Sequence, residues 1–175
     1  MLQYFALLIL SPAAVGNAVP PSSGFFRILD FENRSVDLHN RSPADFDPIQ
    51  TYNTSIGEGA QKWLFTPTGA PNQFRISNAV SGTFASYTTA PIGGDPNRCQ
   101  VCAHPNLATL WNITANGAGF KIAESNSGLV MCAWQFQPTL PLPTSPLTLE
   151  AFDPTQTRQL FDHDHPNPMF NTWSI

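Results

Sequence analysis

Three short stretches decide how this chain reads: Phe26-Arg27-Ile28, Phe74-Arg75-Ile76 and Phe120-Lys121-Ile122. Each runs aromatic, basic, Ile, and their starts lie 48 and 46 residues apart. The alternation puts Phe and Ile on one face and the basic residue on the other, the pattern of a half-buried strand. Trp63 follows the first triplet by 37 residues, and Trp111 follows the second by the same 37. The third copy has Phe161 at 41 residues, inside Gln159-Leu160-Phe161. Turn residues come after each triplet: Asn33-Arg34-Ser35, Ser81-Gly82 and Ser127-Gly128.

Four short strands fit each unit: 26–29, 36–39, 49–52 and 62–65, then 74–77, 83–86, 100–103 and 110–113, then 120–123, 129–133, 147–151 and 159–161. One such unit leaves its apolar face open, whereas three around a pseudo-threefold axis close a barrel with a cap. The expected fold is all-β, a β-trefoil, with residues 24–175 as one domain in repeats of about 24–71, 72–117 and 118–175. A sandwich would need the matched spacings to be coincidence. Two segments compete to close the third repeat, since Trp173-Ser174-Ile175 resembles Trp111-Asn112-Ile113 as Gln159-Leu160-Phe161 resembles Gln61-Lys62-Trp63.

Composition agrees with many short strands joined by turns. The 175 residues include 17 Pro, 11 Gly and 13 Phe, and no clear helical period appears. Lys and Arg total only 8 and do not cluster, and the net charge is −4. A nucleic-acid partner needs a basic patch to neutralise phosphates, so none is expected. Residues 2–10 form an apolar run interrupted only by Gln3, followed by small residues and a Pro. This reads as a signal peptide over residues 1–18, although no Lys or Arg precedes the run; the other reading is an N-terminal core strand. The run is too short to span a bilayer, and no later stretch does so. Four Asn-x-Ser/Thr sequons, at Asn33, Asn40, Asn53 and Asn112, fit a secreted, extracellular glycoprotein, with Pro43 weakening the second. The three cysteines, Cys99, Cys102 and Cys132, allow one bridge at most and are read as structural.

With these repeats the sequence resembles the ricin-type β-trefoil lectins, over roughly residues 24–161. Each repeat of that family carries a Gln-x-Trp motif near its last strand. Gln61-Lys62-Trp63 matches it fully, and Thr109-Leu110-Trp111 and Gln159-Leu160-Phe161 match in part. The family's sugar site implies four residues here: Asp37 on the second strand, Gln50 thirteen residues later, Tyr52 as the aromatic, and Gln61. Ala60 stands where the family has Asn. In such a site a carboxylate accepts bonds from two sugar hydroxyls, a Gln holds the carboxylate, and an aromatic face packs on the C–H patch of a pyranose. Eleven residues after their triplets, Ala85 and Met131 fall at the Asp position of the other repeats, and Cys102 and Phe152 are read at the aromatic position. At most one ricin-type site is therefore expected, flanked by the sequons at Asn40 and Asn53.

Asp162-His163-Asp164-His165 gathers metal-ligand types, but without a third clustered ligand it reads as a polar tail, and no metal or other cofactor is expected. No nucleophile elbow, phosphate-binding loop or zinc-protease helix motif occurs, and the chain reads as non-enzymatic. Two functions stay open. One is binding of glycans or glycoproteins through Asp37, Gln50, Tyr52 and Gln61. The other is a trefoil that inhibits a protease, or binds another protein, through the Pro-rich loop 135–146 and an apolar loop 90–106.

Overall fold

The computed structural model describes residues 21–53, 59–92, 95–135 and 144–164. These form twelve strands: β1 (Gly24–Leu29), β2 (Ser35–Leu38), β3 (Ile49–Tyr52), β4 (Trp63–Pro67), β5 (Gln73–Asn78), β6 (Phe84–Ile92), β7 (Asp95–His104), β8 (Trp111–Asn116), β9 (Gly119–Glu124), β10 (Val130–Ala133), β11 (Thr144–Glu150) and β12 (Asp162–Asp164). Four fall in each repeat. The expected signal peptide lies outside the described residues.

The first and last strands of each repeat join into a ring. β1 pairs with β4, β4 with β5, β5 with β8, β8 with β9, and β12 returns to β1. A bridge between Phe120 and Phe161 closes the circle. Three hairpins, β2–β3, β6–β7 and β10–β11, cap one end. β11 joins them by pairing with both β3 and β7. The fold is the β-trefoil that the spacing predicts.

The triplets drive the barrel as their alternation requires. Phe26, Ile28, Phe74, Ile76, Phe120 and Ile122 all enter one buried cluster. Their basic residues point away: Arg27 pairs with Asp164, and Lys121 lies 4.6 Å from the Phe152 ring centroid. Burying an aromatic or Ile of this size contributes about 2–3 kcal/mol each. The motif aromatics meet the triplets across the ring, Trp63 opposite Phe26, Trp111 opposite Phe74 and Phe161 opposite Phe120. Trp63 and Trp111 donate their Nε1–H groups to the carbonyls of Val36 and Ala85, at 2.8 and 3.1 Å, so they serve the core. Phe161 fills the third position and settles the closing segment of this repeat; Trp173 to Ile175 lies outside the described residues.

The turn after each first strand is also threefold. Asp30, Asn78 and Glu124 each accept backbone N–H groups with their side chains, from residues 32 and 34, 80 and 81, and 126 and 127. A residue with left-handed φ sits in each turn, Asn33 at 60°, Gly82 at 71° and Gly128 at 72°. The turns differ in one respect. The N–H of Asp30 reaches the carbonyl of Arg34, whereas those of Asn78 and Glu124 reach Thr83 and Leu129, one residue further on. The first turn is one residue shorter, and this changes which residues of the repeats correspond.

Residues 90–106, expected as an apolar loop, mostly extend the β6–β7 hairpin instead. Most of the Pro-rich stretch 135–146 lies outside the described residues, but Thr144, Ser145 and Pro146 pair with Tyr52, Thr51 and Gln50 of β3. All three cysteines are buried free thiols, with no bridge. No helix among the described residues is long and apolar enough to cross a membrane.

Candidate functional site

The hairpin β2–β3 sets Asp37 directly across from Gln50, with Ser35 across from Tyr52. Alternation along β3 puts Gln50 and Tyr52 on the same face, away from buried Ile49 and Thr51. The short 3-10 turn Gly59–Gln61 then brings Gln61 alongside. All four sequence-predicted residues thus line one open depression of about 640 Å³. Leu38, His39, Asn40, Arg41, Ala60 and Thr144 complete its wall.

Asp37 is half-buried, and burial pushes its carboxyl above the ordinary 3.8; hydrogen bonds from the Gln61 and Gln50 side chains and the charges of His39 and Arg41 act against this rise. Gln61 is fully buried, and its Nε2 also donates to the carbonyl of Asn53 at 3.3 Å. The two amides orient the carboxylate from behind, which is the part a Gln plays in such a site. Ala60 is buried in the wall and supplies no hydrogen-bonding side chain. The arrangement offers an oriented carboxylate, a neighbouring aromatic and an open mouth.

No binding motif marks His39, Asn40 or Arg41. They form a short 3-10 turn after β2 in which Asn40 and Arg41 both have left-handed φ, 52° and 57°. Only the sequon at Asn40 hinted at this turn, and it hinted at a glycan.

The other two repeats hold different chemistry, and their correspondence differs from the sequence count. With the longer turns, the residues matching Asp37 are Ser86 and Cys132, not Ala85 and Met131. The match is fixed by register: Asp37 faces Gln50, Ser86 faces Cys102, and Cys132 faces Thr148. The carbonyl bonded by the motif Trp confirms it, being that of Val36 in one repeat and Ala85 in the next. By the same register His104 and Glu150, not Cys102 and Phe152, match Tyr52.

In the second repeat, Ser86 Oγ and Thr109 Oγ1 bond each other at 2.7 Å in the interior, replacing the Asp37–Gln61 pair. The segment before β3 covers this place. Phe46 N–H donates to the Ala103 carbonyl, Ala103 N–H to that of Asp47, and Asp45 lies 3.4 Å from His104 Nε2. In the third repeat a smaller depression of about 270 Å³ is lined by Arg98, Glu150, Arg158 and Gln159 among others. Glu150 is held by Arg158 at 2.8 Å, Arg98 at 3.2 Å and the Thr148 hydroxyl at 2.8 Å. Both ends of the Gln159 amide bond backbone, at Ala151 and Asp153. Neither repeat reproduces the carboxylate–Gln–aromatic set.

The sequons differ in setting. Asn33, Asn40 and Asn53 are exposed, and Asn40 lines the depression. Asn112 is half-buried in β8, paired on one side with Gln73 and on the other with Ala123. In the acidic C-terminal cluster, His163 packs against Phe26 and Phe120, with ring centroids at 5.0 and 5.6 Å, and Asp164 pairs with Arg27. His165 lies outside the described residues, and no group of three metal-ligating side chains is assembled among the described ones.

Known proteins match at two levels. Residues 59–138 fit the family model described as ricin-type beta-trefoil lectin domain-like. Among solved structures, the Rhizoctonia solani agglutinin superposes with a TM-score of 0.67 at 22% identity, over 83% of this chain and 96% of that one. A ricin B-like lectin from Macrolepiota procera, solved in complex with lactose, gives 0.66 at 20% identity, over 83% of this chain and 99% of that one. The designed threefold-symmetric protein ThreeFoil gives 0.66 at 15% identity, over 81% and 99%. No curated protein matches the sequence. Identities this low speak for the fold. The chain is a β-trefoil whose sequence resembles the ricin-type lectins, from the motif turn Gly59–Gln61 of the first repeat into the third repeat.

Proposed function

We propose that this protein is a secreted carbohydrate-binding trefoil with a single ricin-type sugar site in its first repeat. One observation carries the proposal: Asp37, Gln50, Tyr52 and Gln61 come from separate segments and meet around one depression, with the carboxylate backed by both amides. Sugar hydroxyls would bond the carboxylate while a pyranose face packs on Tyr52. The lectin-like family match and the lectin neighbours support the reading. A single shallow site binds one sugar weakly, so strong attachment to a glycan surface would need several copies of the chain. The protein acts by binding, without catalysis.

Secretion and N-glycosylation at Asn33, Asn40 and Asn53 belong to this proposal. A glycan on Asn40 would stand at the mouth of the site. The test is a glycan array with the mature chain, before and after enzymatic removal of N-glycans, beside Asp37→Asn. Binding that holds or strengthens on deglycosylation and vanishes in Asp37→Asn supports the reading. Binding that survives Asp37→Asn places the sugar elsewhere.

A further inference from the structure

We infer that the sugar site is shared between two repeats: Thr144, from the third, bonds the second ring of a disaccharide whose first ring lies on Asp37 and Tyr52. The inference rests on the carbohydrate-binding reading and names what the same site takes, a linked pair of sugars in place of a single one.

The carrying observation is a departure from threefold symmetry. β11 runs from Thr144 to Glu150, but its hairpin partner β10 pairs only with Leu147 to Glu150. The first three residues pair with β3 instead, Thr144 opposite Tyr52, Ser145 opposite Thr51 and Pro146 opposite Gln50. The third repeat thus adds a strand to the first repeat's hairpin. Alternation decides what that strand shows. Ser145 turns inward and is buried, and its Oγ accepts a bond from Arg34 Nη1 at 2.7 Å. Thr144 and Pro146 therefore turn outward, to the face that carries Gln50 and Tyr52, and Pro146 is exposed. Thr144 enters the wall of the depression beside Tyr52. Among the described residues nothing bonds its hydroxyl, so both its proton and its lone pairs are open to a ligand.

Size gives a second reason. β2, β3 and β11 lie side by side, so two strand spacings, about 10 Å, separate the strand of Asp37 from that of Thr144. One pyranose ring does not cross that distance, and two linked rings do. At about 640 Å³ the depression also lies in the range that holds ligands larger than a single ring. With the first ring packed on Tyr52 and bonded to Asp37, the second lies over Thr144, and Pro146 offers it apolar surface. The added strand is fixed before any sugar arrives. Arg34, which holds Ser145, is itself bonded to Asp30 at 2.8 Å, and Trp134 N–H donates to the Pro146 carbonyl at 3.3 Å. Little freedom is therefore lost when the hydroxyl is used. This end of the Pro-rich stretch 135–146 then serves the sugar site.

The test is calorimetric titration of the full chain with a panel of disaccharides bearing galactose, N-acetylgalactosamine, glucose or mannose at the non-reducing end, each beside that monosaccharide alone. The disaccharide that fits should bind roughly fivefold more tightly than its terminal sugar, the worth of about one hydrogen bond. Thr144→Val keeps the shape and removes the hydroxyl. It should erase that gain and leave the monosaccharide affinity unchanged, which also shows that the fold is intact, while Thr144→Ser should keep the gain. Disaccharides that bind no better than their terminal sugars, a gain that survives Thr144→Val, or a Thr144→Val that weakens both ligands alike would overturn the inference and leave the sugar site standing. If Asp37→Asn leaves all binding intact, or no sugar binds, the sugar site falls and the inference with it.

Discussion

Asp37 sits half-buried between two amides, and this ties its charge to both binding and stability in opposite ways. Burial holds its pKa above the ordinary 3.8. The native chain therefore keeps this proton more tightly than the unfolded one. The residue's contribution to stability is full below its unfolded value and lost as pH rises through the raised native value. In the proposed site a sugar bonds the carboxylate, so affinity should run the other way. Glycan affinity is expected to fall on acidification with a midpoint above 3.8, while near-ultraviolet circular dichroism stays native through that midpoint. A midpoint at or below that value, or the same profile in Asp37→Asn, contradicts the assignment. Glu124 has the opposite sign. Burial raises it, but hydrogen bonds from Ser127 and Asn126 together bring it below 4.5, so its stabilising part is lost as pH falls through the lowered value. Asp37 lies on the open face of its hairpin, yet it is not exposed. Its half-buried setting, with buried Gln61 bonded to it, makes the isosteric Asp37→Asn the better probe than Asp37→Ala, which would cost about 1–2 kcal/mol.

The element that misled the count is a turn. The triplet, the left-handed turn residue and the Gln-x-Trp motif are local patterns, and strands 26–29, 49–52 and 120–123 appear within a residue or two of their expected bounds. The deletion of one turn residue in the first repeat carries no local signature, because Asp30, Asn78 and Glu124 are chemically different caps for the same bend. One residue of slip turns a strand over, and Ala85 and Met131 were counted where Ser86 and Cys132 stand. Nor did the sequence show how Arg34, which follows this turn, is used. It lies buried with Asp30, donating to that carboxylate at 2.8 Å, to Ser145 Oγ at 2.7 Å and to the Trp134 carbonyl at 2.6 Å. The first repeat is thereby tied to the third through residues 111 and 100 positions apart. Removing the cation leaves Asp30 buried and uncompensated. Arg34→Ala should lower unfolding free energy by about 3–5 kcal/mol in a urea titration, and Asp30→Asn combined with it should restore part of the loss. A cost under about 1 kcal/mol would show that the network adds nothing to the fold.

Across the whole molecule the threefold scaffold was legible, and so was the meeting of Asp37, Gln50, Tyr52 and Gln61 around one depression. What escaped the sequence lies in the departures from symmetry. The His39–Arg41 turn is set by contacts with Asp47 and Pro48 within its own repeat, whereas the segment over the second repeat and the Glu150 ion cluster in the third depend on packing between repeats. The cysteines belong here too. Burial pushes the Cys132 thiol up to about 12, with the nearby Glu150 charge adding to it, and burial with Asp45 pushes Cys102 up to about 11. Both should stay neutral and inert at pH 8. A colorimetric thiol titration should find neither reactive in the native chain and all three cysteines after unfolding; a single thiol after unfolding would mean that two are bridged. The central claim, a trefoil with one working sugar site, is tested most directly by a nuclear magnetic resonance titration of the labelled chain with the best-binding oligosaccharide. The amide shifts should fit one site per chain and cluster at residues 37–41, 50–52 and 59–61. Shifts centred on Glu150 and Gln159, or saturation at two or three sugars per chain, would contradict it.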